Sequence, residues 1–118
     1  MAVVAMILVA AVALFHFYIL YLEMFCWTTP KGRKAFGLTE EFAASTKVLA
    51  ANQGLYNGFL GAGLLWGLWL GQNGQSVVVF FLLCVLVAGI YGGISSSKKI
   101  LYIQALPSAI TLLSILAL

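Results

Sequence analysis

The chain is a succession of apolar runs separated by short polar stretches, and the length of those runs constrains the fold most. At 1.5 Å per residue, about 20 apolar residues in a helix cross roughly 30 Å of hydrocarbon. Of the 118 residues, 64% are hydrophobic and 8% are charged, whereas an ordinary soluble domain has about 25% charged residues. A water-soluble globule is excluded. The runs lack the period-two alternation and the roughly ten-residue length of barrel strands, so the fold class is all-α, a polytopic membrane protein.

Four spans of about 20 residues use roughly 80 positions and leave three short loops, with nothing over for a soluble domain. The spans fall at 2–27, 40–71, 77–94 and 99–118, a single four-helix transmembrane domain. All six basic residues, Lys31, Arg33, Lys34, Lys47, Lys98 and Lys99, lie in or beside the first and third loops. The positive-inside rule places those loops, 28–39 and 95–98, in the cytoplasm of a cell-membrane protein, with both termini outside. The net charge of +3 therefore records topology, and it does not imply a nucleic-acid partner. Ala11-Val12-Ala13 has the small-x-small form of a signal-peptide cleavage site. No Lys or Arg precedes it and the apolar run continues to Glu23, which favours a first span.

Polar groups inside spans are costly and normally face the bundle interior. On the first helix, His16 and Glu23 are seven apart, which returns them to one face about 10 Å apart along the axis. On the second, Ser45, Asn52 and Tyr56 form one stripe and Thr46, Gln53 and Asn57 the next. Ala50, Gly54, Gly58 and Gly61 lie on the neighbouring face, where missing side chains admit another helix. Gly63, Gly67 and Gly71 recur at four-residue spacing, another packing signal.

The third helix aligns Cys84, Ala88 and Tyr91, followed by Gly92 and Gly93; the fourth aligns Gln104, Ser108 and Thr111 around Pro107. Proline frees the carbonyl of Ile103 and predicts a kink. Depth counting puts Glu23, Lys47, Tyr91 and Gln104 in a shallow layer, with His16, Asn52 and Gln53 deeper. The expected site is a polar cavity open to the cytoplasm, formed by His16, Glu23, Asn52, Gln53, Tyr56, Tyr91 and Gln104. Gln104, Ser108 and Asn57 also suit interhelical hydrogen bonding, and Glu23 suits pairing with Lys47 at the interface.

In the loop, Thr-Thr-Pro-Lys-Gly-Arg-Lys leads to Thr39 as an N-cap with Glu40 and Glu41 in the first turn. Its three cations suit an anionic substrate or acidic head group as well as topology. No phosphate loop, nucleophile elbow, paired-carboxylate site or metal-ligand set is present, so no metal is expected and the cofactor is left open. Cys26 and Cys84 have no redox or metal spacing.

Three strings, HFYILYLEMFCWTTPKGRKAFGLTEEF, TKVLAANQGLYNGFLGAGLLWGL and CVLVAGIYGGISSSKKILYIQALPS, closely resemble the domain of unknown function 1304 family across nearly the whole chain. The resemblance implies a small four-helix integral membrane protein of unassigned activity. Ala51-Asn52-Gln53 followed by Phe59-Leu60-Gly61-Ala62-Gly63-Leu64-Leu65 is similar to the second-helix signature of the membrane-associated eicosanoid and glutathione metabolism superfamily. The arginine and glutamate of that signature are missing here. This second resemblance implies a homo-oligomer, preferably a trimer, and a small amphipathic ligand held by Asn52, Gln53, Glu23 and Tyr91. Alternatives are a small proton-coupled exporter using Glu23 and His16, and an accessory subunit docking through its glycine faces.

Overall fold

A computed structural model describes residues 1–117, all built of helices and connecting turns with no strand among the described residues. The expected end of the last span, at Leu118, lies outside them. The helices are α1 (Val3–Phe25), α2 (Pro30–Phe36), α3 (Glu40–Trp69), α4 (Gln75–Ser95), α5 (Lys98–Ile100) and α6 (Leu106–Ala117). A 3₁₀ turn, Gly71–Gly74, leads into α4, and a π-turn, Leu101–Ala105, joins α5 to α6.

Three helical segments among the described residues, Val3–Phe25, Gly71–Ser95 and Lys98–Ala117, are long and apolar enough to cross a membrane. α3 has the length, 30 residues or about 45 Å, but Asn52, Gln53, Tyr56 and Asn57 dilute its apolar character. Large apolar side chains crowd the surface, and a few polar ones are buried beside the apolar core. Ile7, Leu14, Val87, Ile94, Leu113 and Leu116 are exposed, while His16, Glu23, Asn57, Ser108 and Thr111 are buried. That distribution belongs to a membrane protein, in which lipid replaces water as the medium around the apolar side chains.

The chain forms two compact units, one of Met1–Ala13 with Ala62–Leu118 and the other of Leu14–Gly61. In the first, Val9, Leu64, Val78, Leu82 and Ile115 are among the residues of one buried apolar cluster. Lipid tails are as apolar as leucine, so contact here depends on close packing, which small residues permit. A Cβ on Gly67 would stand 3.0 Å from the backbone nitrogen of Val78, and one on Gly89 only 2.9 Å from the Cα of Ala105. Gly63 makes room for the ring of Phe81. Gly71 departs from the expected packing role. Its φ is +66°, and a Cβ there would meet no atom within 4 Å, so it is present for the left-handed turn that ends α3.

The disturbance expected at Pro107 takes the form of the π-turn just before it. The Leu106 N–H bonds the carbonyl of Leu101, five residues back, rather than four as in an α-helix. Thr111 donates to the Pro107 carbonyl at 2.7 Å.

In the second unit, residues 28–39 are more ordered than the basic loop expected from sequence. Thr29 caps α2, its hydroxyl accepting from the Gly32 N–H at 3.3 Å and donating to the Cys26 carbonyl at 2.7 Å. Pro30 opens the helix and Gly37, at φ +66°, closes it. The sequence carried these signals at both ends, Thr-Pro before and glycine after, but only seven residues lie between them. Gly32 is buried directly against the Cys26 carbonyl, where no side chain fits.

Candidate functional site

The buried face of α1 in the second unit runs through His16, Ile19, Glu23 and, just past the helix end, Cys26. This three- and four-residue spacing is the helical repeat, and it puts His16 and Glu23 on one face as their separation predicts. His16 is 1% exposed and Glu23 is 8% exposed. The ring of Phe15 stands edge-on to His16 at 6.0 Å between centroids.

Glu23 is met by α3 through Asn57. The Asn57 Nδ2–H donates to Glu23 Oε1 at 2.6 Å, and Asn57 is itself 8% exposed. Asn57 Nδ2 also donates to the Gln53 carbonyl at 3.2 Å, one turn back along α3. The two helices approach closely because Gly54 faces α1. A Cβ at Gly54 would lie 2.7 Å from Met24 Cγ, 3.0 Å from Glu23 Cβ and 3.2 Å from the Leu20 carbonyl oxygen. Gly58 gives the same freedom to the Leu20 side chain.

Around this pair the second unit is tied together at the end of α1. Trp27 donates its indole N–H to Thr46 Oγ1 at 3.0 Å and packs on Phe36 with ring centroids 4.9 Å apart. Lys31 of α2 lies over Tyr21 and Tyr18, 5.3 and 5.7 Å from their centroids, a cation–π arrangement. Thr39 caps α3 as expected, accepting from the Phe42 N–H at 3.1 Å.

The residues singled out from sequence separate into groups. His16 and Glu23 are buried on one face, whereas Asn52, Gln53 and Tyr56 are exposed on α3. Asn52 donates to the Val48 carbonyl of its own helix at 3.2 Å. Lys47, a potential partner for Glu23, is exposed. Tyr91 and Gln104 belong to the other unit. There Tyr91 is 72% exposed, because Gly89 and Gly93 occupy the buried face of α4, and Gln104 is half-buried in the π-turn.

Asn57, assigned from sequence to interhelical bonding, is the residue that reaches the buried carboxylate. The signal for it was its position on the same helical face as Ala50, Gly54 and Gly61, with Asn52 on the far side. Chemically, the pair presents one carboxylate oxygen engaged by an amide and a second oxygen able to accept from another donor.

Residues 3–116 match the profile of a family described as protein of unknown function (DUF1304). The chain belongs to the DUF1304 family. A curated relative of this DUF1304 chain, the uncharacterized protein YpaA of Lactococcus lactis subsp. lactis (strain IL1403), is 32% identical over 116 residues. That alignment covers 97% of the DUF1304 chain and 98% of YpaA. No solved structure matches the DUF1304 chain.

Proposed function

We propose that the chain crosses the cell membrane four times, with α3 as the second span, both termini outside and loops 28–39 and 95–98 in the cytoplasm. In this arrangement it binds a small amphipathic molecule at Glu23 and Asn57. The observation that carries the reading is the buried 2.6 Å bond between Asn57 Nδ2 and Glu23 Oε1 on two facing helices. A helix pair held only by a hydrogen bond has no use for a carboxylate there. Glutamine accepts the same bond without the cost of burying an ionisable acid. A carboxylate supports recognition of a head group that donates hydrogen bonds or carries positive charge, with an apolar tail lying along the helices.

Native mass spectrometry of the protein extracted with its own lipids tests this. The expected result is a co-purifying amphipathic adduct on the wild type that is lost from Glu23→Gln, with the secondary structure of the variant unchanged. An adduct-free wild type, or equal adducts on both proteins, overturns it.

A second reading, proton-coupled export, is supported by the same buried acid on the first helix. It requires that proton flux into liposomes depend on Glu23, and a Glu23→Gln flux equal to wild type removes it.

A further inference from the structure

α3 carries two faces, each with a seven-residue repeat. Ala43, Ala50 and Asn57 are buried within the chain. On the far side Ser45, Asn52 and Phe59 are exposed, and so are Val48 and Leu55, each three residues after one of them. Positions one and four of a heptad form the seam through which parallel helices interlock, and a single asparagine at the first position fixes register and partner number. On the exposed side of α3 the first positions are Ser45, Asn52 and Phe59 and the fourth positions Val48 and Leu55, so Asn52 is flanked along this seam by the apolar Val48, Leu55 and Phe59.

Asn52 is not satisfied by its own chain. Its amide donates to the Val48 carbonyl, and its Oδ1 has no donor among the described residues. Asn52 lies 12 residues beyond Glu40 at the start of α3, about 18 Å along the axis. In a membrane-crossing α3 that is hydrocarbon depth, where acyl chains offer neither donor nor acceptor. A second copy of this chain, inserted with the same orientation, brings its own Asn52 to the same depth. An amide carries both a donor and an acceptor, so two copies satisfy one another without a partner of different sequence.

We infer that α3 is the self-association helix of the protein, packing in parallel against α3 of further copies with Asn52 facing Asn52 across the symmetry axis. The inference uses the four-span reading proposed above but is independent of what Glu23 and Asn57 bind.

A cysteine scan of residues 44–60 in native membranes, with mild oxidation and the wild type as blank for Cys26 and Cys84, reads the interface directly. Disulfide-linked dimers are expected to peak for Ser45→Cys, Val48→Cys, Asn52→Cys, Leu55→Cys and Phe59→Cys and to fall between them. In a detergent dilution series, Asn52→Leu is expected to weaken association about 5- to 30-fold, the effect of one such interhelical bond in model peptides. A flat scan, or one peaking on another face, overturns the inference. Labelling with a membrane-impermeant maleimide separates the two ways of failing. An Asn52→Cys chain that is shielded from the reagent yet never cross-links overturns the pairing alone. One labelled from the aqueous side overturns the four-span reading with it.

Discussion

The hydroxyl of Ser108 donates to the backbone carbonyl of Leu82 at 2.6 Å, joining α6 to α4 at a point where Ser108 is wholly buried. An extra bond accepted by a helical carbonyl does not break the helix that owns it. Ser108→Ala therefore removes the link while leaving Leu82 paired in its own ladder, and a loss of roughly 0.5–1.5 kcal/mol is expected. Ser108→Leu forces a larger side chain into the same packed contact and is expected to lose more. Thermal unfolding in detergent orders the three proteins.

Glu23 and Asn57 respond asymmetrically. Glu23→Gln preserves an acceptor for Asn57 and is expected to unfold at or slightly above the wild-type temperature. Asn57→Leu strips the buried carboxylate of its amide partner, with an expected loss of about 1–3 kcal/mol. The double variant Glu23→Gln/Asn57→Leu recovers part of that loss if the buried charge, rather than the missing bond, is the main cost, and a double-mutant cycle measures the fraction.

Gly54 and Gly58 are four residues apart and face the same helix, but they meet different atoms. At Gly54 the obstruction includes Glu23 Cβ and the Leu20 carbonyl, which move only with the backbone of α1. At Gly58 it is the Leu20 side chain, which can turn aside. Alanine gains about 1 kcal/mol of helix propensity at either site, while overpacking costs roughly 1–3 kcal/mol where the neighbour cannot yield. Gly54→Ala is expected to be destabilising and Gly58→Ala close to neutral, as read from their unfolding midpoints.

Gly89 is the most constrained of the α4 glycines with respect to backbone. A Cβ there would stand 2.9 Å from both Cα and Cβ of Ala105. Gly89→Ala is expected to cost at least as much as the upper end of the overpacking range, about 3 kcal/mol. Ala105→Gly in the same chain is expected to restore little of it, because the nearest atoms, the nitrogen and Cα of Ala105 at 2.5 and 2.9 Å, are backbone and stay in place. Hydrogen exchange at residues 101–106 monitors the effect, since the π-turn is the element displaced.

Much of this was legible in the sequence because helical spacing is a strong constraint. The seven-residue separation of His16 and Glu23 predicts one shared face, and both are buried. The small residues Ala50, Gly54 and Gly58 predict close approach, and α1 packs there. What spacing left unresolved was which of the polar residues of α3 meets α1. Asn52, Gln53 and Asn57 are chemically alike, and polarity alone sends all of them inward. Only the glycine face distinguishes Asn57, which turns toward Glu23, from Asn52, which turns away. The short helix α2 escaped because its caps enclose fewer residues than periodicity can detect. The π-turn escaped because proline announces a disturbance without specifying how the backbone absorbs it.

The π-turn at Leu101–Ala105 makes residue number itself a structural quantity. Such a turn holds one residue more than an α-helical turn over the same rise, and each residue in a helix carries about 100° of rotation. Removing one residue between Lys99 and Leu106 would let the helix run on as α-helix through the same turn, so that everything after it keeps its face. Ser108 would then stay at the Leu82 carbonyl and Thr111, Leu112 and Ile115 in the interior, whereas a second deletion, with no wide turn left to absorb it, would rotate them out by about 100°. The π-turn is thus the place where the final helix holds a spare residue, while Leu101 and Ala105 within it stay constrained by their packing on Gly93 and Gly89. Aligned relatives are therefore expected to tolerate the loss of one residue between the Ser-Lys-Lys turn and Pro107, and to keep a small residue where Ala105 meets Gly89.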